Sequence, residues 1–176
     1  MQSSTQRRLR IFGALFCATL LIILGAFAWL WSQFRATLPV IDGQQALLGL
    51  KAPVTVERDA AGVPTLRGNH REDLAHALGY VHGQDRFFQM DLSRRRASGE
   101  LSELFGPAAL PLDRGARAHE LRALSQLRLK ELPARERQLL EAYTAGVNAA
   151  IASGDKRPWE YAVLRSSPRP WLPEDS

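Results

Sequence analysis

The chain has 176 residues, 45% of them hydrophobic and 23% charged, which suffices for one packed domain and excludes wholesale disorder. Its net charge of +5 does not point to nucleic acid: Arg7, Arg8 and Arg10 precede an acid-free stretch, and setting them aside leaves 20 basic residues against 18 acidic ones, or +2. Cys17 is the single cysteine, so an intrachain disulfide and a cysteine-based zinc site are excluded.

Residues 1–10 read as a short basic tail on the cytoplasmic side. Residues 11–31 carry no charge over 21 positions, long enough to cross a bilayer as a helix. The arginines ahead of them hold the N-terminus in the cytoplasm, and Trp29 and Trp31 suit the far interface. Ala26-Phe27-Ala28 has the small-x-small form of a signal-peptidase site but lies inside the apolar run, so an uncleaved anchor is preferred to a cleaved signal. Phe16 before Cys17 argues against lipidation. The expectation is a single-pass inner-membrane protein with a periplasmic body.

Residues 32–52 read as a stalk. Pro53–Asp59 alternates like a half-buried strand, Asp59-Ala60-Ala61-Gly62 is a turn, and Val63–Leu66 returns as a second strand, with Pro64 confined to an edge or a strand start. Asn69 and Glu72 suggest a capping box for a helix over about 70–98, whose apolar stripe is Leu74, Leu78, Val81, Phe88 and Leu92. Asp85 falls in that stripe, where a carboxylate needs a partner. Arg86 and the run Arg94–Arg95–Arg96 are the nearest candidates, and that run reads as a solvated or ion-paired helix face rather than a phosphate site. Gly79 and Gly83 mark a close backbone approach. A helical turn over 100–105 ends at Gly106-Pro107, residues 108–113 form a loop, and one helix covers 114–132. Pro133 starts another, with Leu140, Tyr143, Val147 and Ile151 on one face and Gly154 after its end. From Pro158 the chain is rich in Pro and Trp and is expected to be extended.

No complete catalytic constellation is legible. His76 and His82 are six apart, whereas zinc ligands on one helix face want three or four. Ser93, Ser98, Ser102 and Ser125 lie on helices without a nucleophile elbow, and Ser166, Ser167 and Ser176 have no recognisable base. Asp85, Asp91, Glu100 and Glu103 are the carboxylates available for acid–base work, with a structural ion pair preferred for Asp85.

Five segments occur in an order that resembles one family: VTVERDAAGVP, GYVHGQDRFFQMDLSRRRASGELSELFG, LDRGAR, LLEAYTAGVNAAI and RPWLPED. Together they resemble the penicillin acylase family of N-terminal-nucleophile hydrolases over about 53–175. Thr65 and Gly83 depart from the family's commoner residues. The positions carrying the signature are Asp59, Gly62, Pro64, Gln84, Asp85, Arg86, Gln89, Arg95, Asp113 and Arg114.

The resemblance implies an α+β fold: a β-hairpin and a mainly helical part of the α-chain of an αββα hydrolase, with 53–176 as that partial domain. It implies a precursor that cuts itself into α-chain, spacer and β-chain and cleaves an acyl amide of penicillin or acyl-homoserine lactone type. The nucleophile is a Ser at the new N-terminus of the β-chain, with its own amine as base. The resemblance also implies that calcium, which commonly braces the β-chain in this family, is a possible cofactor of the full-length protein. No catalytic, cofactor or metal residue is thereby assigned here; the implied partners are the downstream α-tail and the β-chain, and the chain alone is expected to be inactive. The competing reading is a non-enzymatic, membrane-anchored helical module that binds a protein.

Overall fold

The computed structural model describes residues 4–35, 38, 41–153 and 158–176. It divides into two units, Met1–Leu38 and Pro39–Ser176. The first is helix α1, Ser4–Arg35, in which Phe12–Ser32 is long and apolar enough to cross a membrane. Its apolar side chains are exposed, and Phe27 stacks on Trp31 one turn away.

The second unit is mostly helical, with one two-stranded antiparallel sheet. Strand β1 (Thr55–Arg58) pairs with β2 (Pro64–Arg67), placing Thr55 opposite Arg67 and Arg58 opposite Pro64. The turn forms as expected. Asp59 Oδ1 accepts from the Ala61 and Val63 N–H groups at 2.9 and 2.8 Å, and Gly62 supplies φ +79°. Pro64 sits at a strand start, where its missing N–H costs nothing.

Helix α2 (Arg71–Ser98) is the central element. His70 is its N-cap residue without a side-chain cap hydrogen bond, so the expected Asn69 capping box does not form; Glu72 and Asp73 in the first turn still suit the helix dipole. Asp73 instead reaches back to accept from the Lys51 and Ala52 N–H groups at 2.9 and 3.0 Å, tying the end of the stalk stretch to α2. Gly99 closes the helix in the left-handed region.

The buried face of α2 is not the expected stripe. Ala77, Val81, Gly83, Phe87, Asp91, Arg94 and Arg95 are buried, whereas Leu78 is exposed and Leu74, Phe88 and Leu92 are half-buried. In the first half the face that meets α6 is the one carrying Gly79 and Gly83, which leaves Leu78 outside; after it a break at Arg86, with φ −150° and ψ 30°, rephases the second half.

Helix α3 (Ser102–Phe105) and a 3-10 turn (Gly106–Ala109) lead into α4 (Leu110–Arg117), so the loop expected at 108–113 is helical. Pro111 lies in the first turn of α4, where proline is compatible with a helix. The single helix expected over 114–132 is broken: α5 is Leu121–Glu131, and Glu120 between them has φ +48°. Helix α6 (Ala134–Ser153) follows Pro133; Gly154, expected after its end, lies outside the described residues. The tail is not wholly extended, since it holds α7 (Trp159–Val163) and a 3-10 turn (Pro173–Asp175).

Helices α2 and α6 cross at glycines. A Cβ on Gly79 would land on the Tyr143 carbonyl, and one on Gly146 on the His76 carbonyl. At Gly83 the obstacle is the Ala150 methyl at 2.9 Å. His82 Nδ1 and the Tyr143 hydroxyl meet beside the crossing at 2.9 Å. Phe87, Val147, Tyr161 and Trp171 form the core, with Phe88 edge-on to Tyr161 at 5.3 Å.

Candidate functional site

The densest chemistry in the body is a buried polar cluster where α2 meets the tail. Positions 91, 94 and 95 share one helix face because three and four residues make one turn. Asp91 is fully buried. Its Oδ1 accepts from Arg94 Nε at 2.7 Å, and its Oδ2 from Arg95 Nε at 3.0 Å and the Tyr161 hydroxyl at 2.7 Å. Arg95 also reaches Glu103 at 2.7 Å.

Arg94 straps the tail down. It donates to the Pro170 carbonyl at 2.7 Å, the Arg169 carbonyl at 2.9 Å and Asp175 Oδ2 at 2.9 Å, while its guanidinium lies 5.1 Å from the Trp171 ring. Asn148 exchanges two hydrogen bonds with the Trp171 backbone, at 2.9 and 2.8 Å. Arg122 reaches Asp175 at 3.4 Å, and Arg169 pairs with Glu100.

Burial pushes the Asp91 carboxyl up, but the hydrogen bonds from Tyr161, Arg94 and Arg95 outweigh it and hold the group below the usual carboxylate range. Burial, reinforced by the neighbouring Asp91 carboxylate, drives the Tyr161 hydroxyl well above its ordinary range. A second carboxylate is used in the same way: Asp113 accepts from the Leu101 and Ser102 N–H groups at 2.8 Å each, fixing the start of α3. Burial raises Asp113 too, yet the Ser102 hydroxyl and these N–H groups bring it below its usual value.

The structure disperses the signature residues. Asp59, Gly62 and Pro64 build the hairpin turn. Asp85 pairs with neither Arg86 nor the arginine run; Arg58 of β1 donates to both its oxygens at 2.9 and 2.8 Å. That side chain is 18% exposed, so the fully buried carboxylate is Asp91 and not Asp85. Gln84 is half-buried, Arg86 and Gln89 are exposed beside the break, and Arg95 and Asp113 are buried. Arg114 is exposed; Arg117, three residues on, donates to the Gly99 carbonyl at 2.8 Å and does the structural work nearby. Of the arginine run, Arg94 and Arg95 are buried ion-paired groups and Arg96 is exposed. Tyr161, Asn148 and Asp175 carry no local sequence signal for these roles, because Asp91 and Arg94 reach Tyr161 and Asp175 across 70 and 81 residues and Asn148 reaches Trp171 across 23.

Chemically this is a closed set. Both oxygens of Asp91 accept hydrogen bonds and every guanidinium nitrogen of Arg94 donates at least one, and the cluster contains neither nucleophile nor base. Ser93 Oγ donates to the Gln89 carbonyl, Ser98 Oγ accepts from Arg122, and Ser176 Oγ accepts from Trp171. Among the described residues no three His, Cys, Asp or Glu gather as a metal-binding group.

The carboxylates and imidazoles make stability pH-dependent in one direction. Asp73, held low by the Lys51 N–H, and Asp91 and Asp113 all titrate in the fold below the 3.8 of a free aspartate. Burial depresses His76 and His82 below the ordinary 6.5. In every case the unfolded chain binds protons first as pH falls. Thermal unfolding of the body from pH 8 to pH 3 is therefore expected to show a midpoint that declines from about pH 6.5 and drops steeply below about pH 4. A midpoint that rises on acidification contradicts these assignments.

Comparison with known proteins follows the same residues. The family model described as penicillin amidase matches residues 53–176. Penicillin acylase 2 proenzyme of Pseudomonas sp. strain SE83 is 41% identical over 139 residues, covering 79% of this chain and 18% of that protein. The acyl-homoserine lactone acylase QuiP of Pseudomonas aeruginosa is 37% identical over 159 residues, covering 90% of this chain and 19% of its own length. The chain thus spans less than a fifth of these curated relatives. A solved structure of thermostable penicillin G acylase from Alcaligenes faecalis superposes with a TM-score of 0.64 at 31% identity, covering 70% of this chain and 67% of that one. With the mostly helical body and its small hairpin reproducing that fold, the chain belongs to the penicillin amidase family.

Proposed function

We propose that this chain is the scaffolding part of an exported acyl amidohydrolase precursor, acting on an acyl amide of penicillin or acyl-homoserine lactone type. Residues 11–31 anchor it in the inner membrane with the body on the periplasmic side, and residues 53–176 cradle the portion that carries the nucleophile. The observation that carries the reading is the buried Asp91–Arg94–Arg95–Tyr161 cluster: the best-built polar site among the described residues fastens the tail and contains no serine, cysteine or amine nucleophile for acyl transfer. The relatives' names supply the substrate class. The calcium implied by the resemblance would be held chiefly by the remainder of the precursor, because Asp73, Asp91, Asp113 and Asp175 are already occupied by N–H donors and arginines.

The test is hydrolysis of a chromogenic acyl anilide by the chain alone and by the chain co-expressed with the remainder of a family precursor. The expected result is no turnover alone and turnover by the assembled complex; turnover by the isolated chain overturns the reading. The anchor is tested separately by alkaline carbonate extraction, which is expected to leave the chain in the membrane pellet. A soluble product beginning just after Ala28 would instead show a cleaved signal.

A further inference from the structure

Beside the break in α2 lies a groove of about 580 Å³ whose lining includes Arg86, Gln89, Met90, Leu140, Tyr143 and Trp171. Met90, Ala97, Leu140, Tyr143 and Trp171 give it an apolar floor, polar side chains including Ser93 and Ser176 edge it, and its charges are unevenly satisfied. Arg94 and Asp175 also border it, but they are spent on each other, on Asp91 and on tail backbone groups. Asp85, adjacent in sequence, is held in a two-oxygen pair by Arg58. Arg86 has no hydrogen bond or ion pair among the described residues. Of the charged side chains on the lining, Arg94 and Asp175 pair with each other, which leaves the Arg86 guanidinium as the unmatched charge.

An unpaired guanidinium at the rim of an apolar groove fits an apolar segment bearing a carboxylate, through a planar two-oxygen pair. A nearby source exists under the function proposed above, on which this inference rests: the curated relatives are more than five times the length matched here. We propose that the groove seats an apolar, single-carboxylate segment from the remainder of the precursor, and that this carboxylate pairs with Arg86. Arg86 is then a docking residue. The break in α2 serves to present it, and Asp85 is kept from neutralising it by Arg58.

The experiment uses the chain co-expressed with the remainder of a family precursor and carrying a photoreactive benzoylphenylalanine in place of Gln89, with Leu112 as a control position away from the groove. The expected result is one crosslinked segment, mapped by mass spectrometry, containing Asp or Glu within an apolar run. Arg86→Glu, with helical circular dichroism unchanged, is expected to cut that crosslink by about tenfold, the effect of setting like charges opposite each other. Reversing the partner acid to Lys is expected to restore it. A complex that forms while position 89 crosslinks elsewhere, to a second copy of this chain, or undiminished in Arg86→Glu overturns the groove proposal alone. Failure of the unaltered chains to associate at all overturns both this proposal and the scaffolding function.

Discussion

Asp91→Ala is expected to destabilise the body by about 3–5 kcal/mol, the range for removing one partner from a buried ion-pair network. Truncation leaves the Tyr161 hydroxyl without its acceptor and strips Arg94 and Arg95 of their shared carboxylate. The two arginines keep their contacts to Asp175, the tail carbonyls and Glu103, which prevents collapse of the whole network but leaves excess buried positive charge. Asp91→Asn, which retains one acceptor oxygen, is expected to be milder. Urea denaturation measures both. Because the cluster fastens residues 169–175, limited trypsin digestion of Asp91→Ala is also expected to cut first at Arg165, ahead of the loosened segment; Arg169 is protected by Pro170. An unchanged urea midpoint, or first cleavage elsewhere, contradicts the role given to Asp91.

The second large effect lies at the α2–α6 crossing. Gly146→Ala is expected to cost about 3 kcal/mol, since its methyl would occupy the place of the His76 carbonyl and lie 2.8 Å from the Tyr80 nitrogen. Backbone cannot swing aside as a side chain can, so the two helices must separate and loosen the core around Val147. Gly79→Ala meets the Tyr143 carbonyl and is expected to behave alike. Gly83→Ala faces chiefly the Ala150 methyl and the Val147 carbonyl, at 2.9 and 3.0 Å, and is expected to be milder. Gly115 in α4 has open space around it, so Gly115→Ala is expected to stabilise slightly through helix propensity alone. Equal stability of Gly146→Ala and Gly115→Ala would contradict the close crossing.

Local chemistry was the legible part of the sequence. The Asp59–Gly62 turn, the strand before and after it, and the close approach at Gly79 and Gly83 each follow from residues within a few positions of one another. The ordered signature segments identified the family for the same reason. What was not legible depends on distant partners or on phase. The Asp91–Tyr161 contact spans 70 residues, and nothing local marks it. The stripe through Asp85, Phe88 and Leu92 assumes an unbroken helical period, and the departure at Arg86 moves the buried face to Phe87, Asp91 and Arg94–Arg95, while Leu78 is left outside because Gly79 and Gly83 face α6. Residues 108–113 read as a loop, although Pro111 fits the first turn of α4. The break at Glu120 carries no glycine to announce it.

Scaffolding and chemistry are separated most directly by measuring acyl anilide hydrolysis in the assembled complex with native or Asp91→Ala chain, normalised to the amount of complex recovered. A scaffold role predicts less complex but an unchanged kcat per assembled complex. A kcat per complex reduced by about a hundredfold or more, the loss typical of removing a catalytic acid or base, would contradict it.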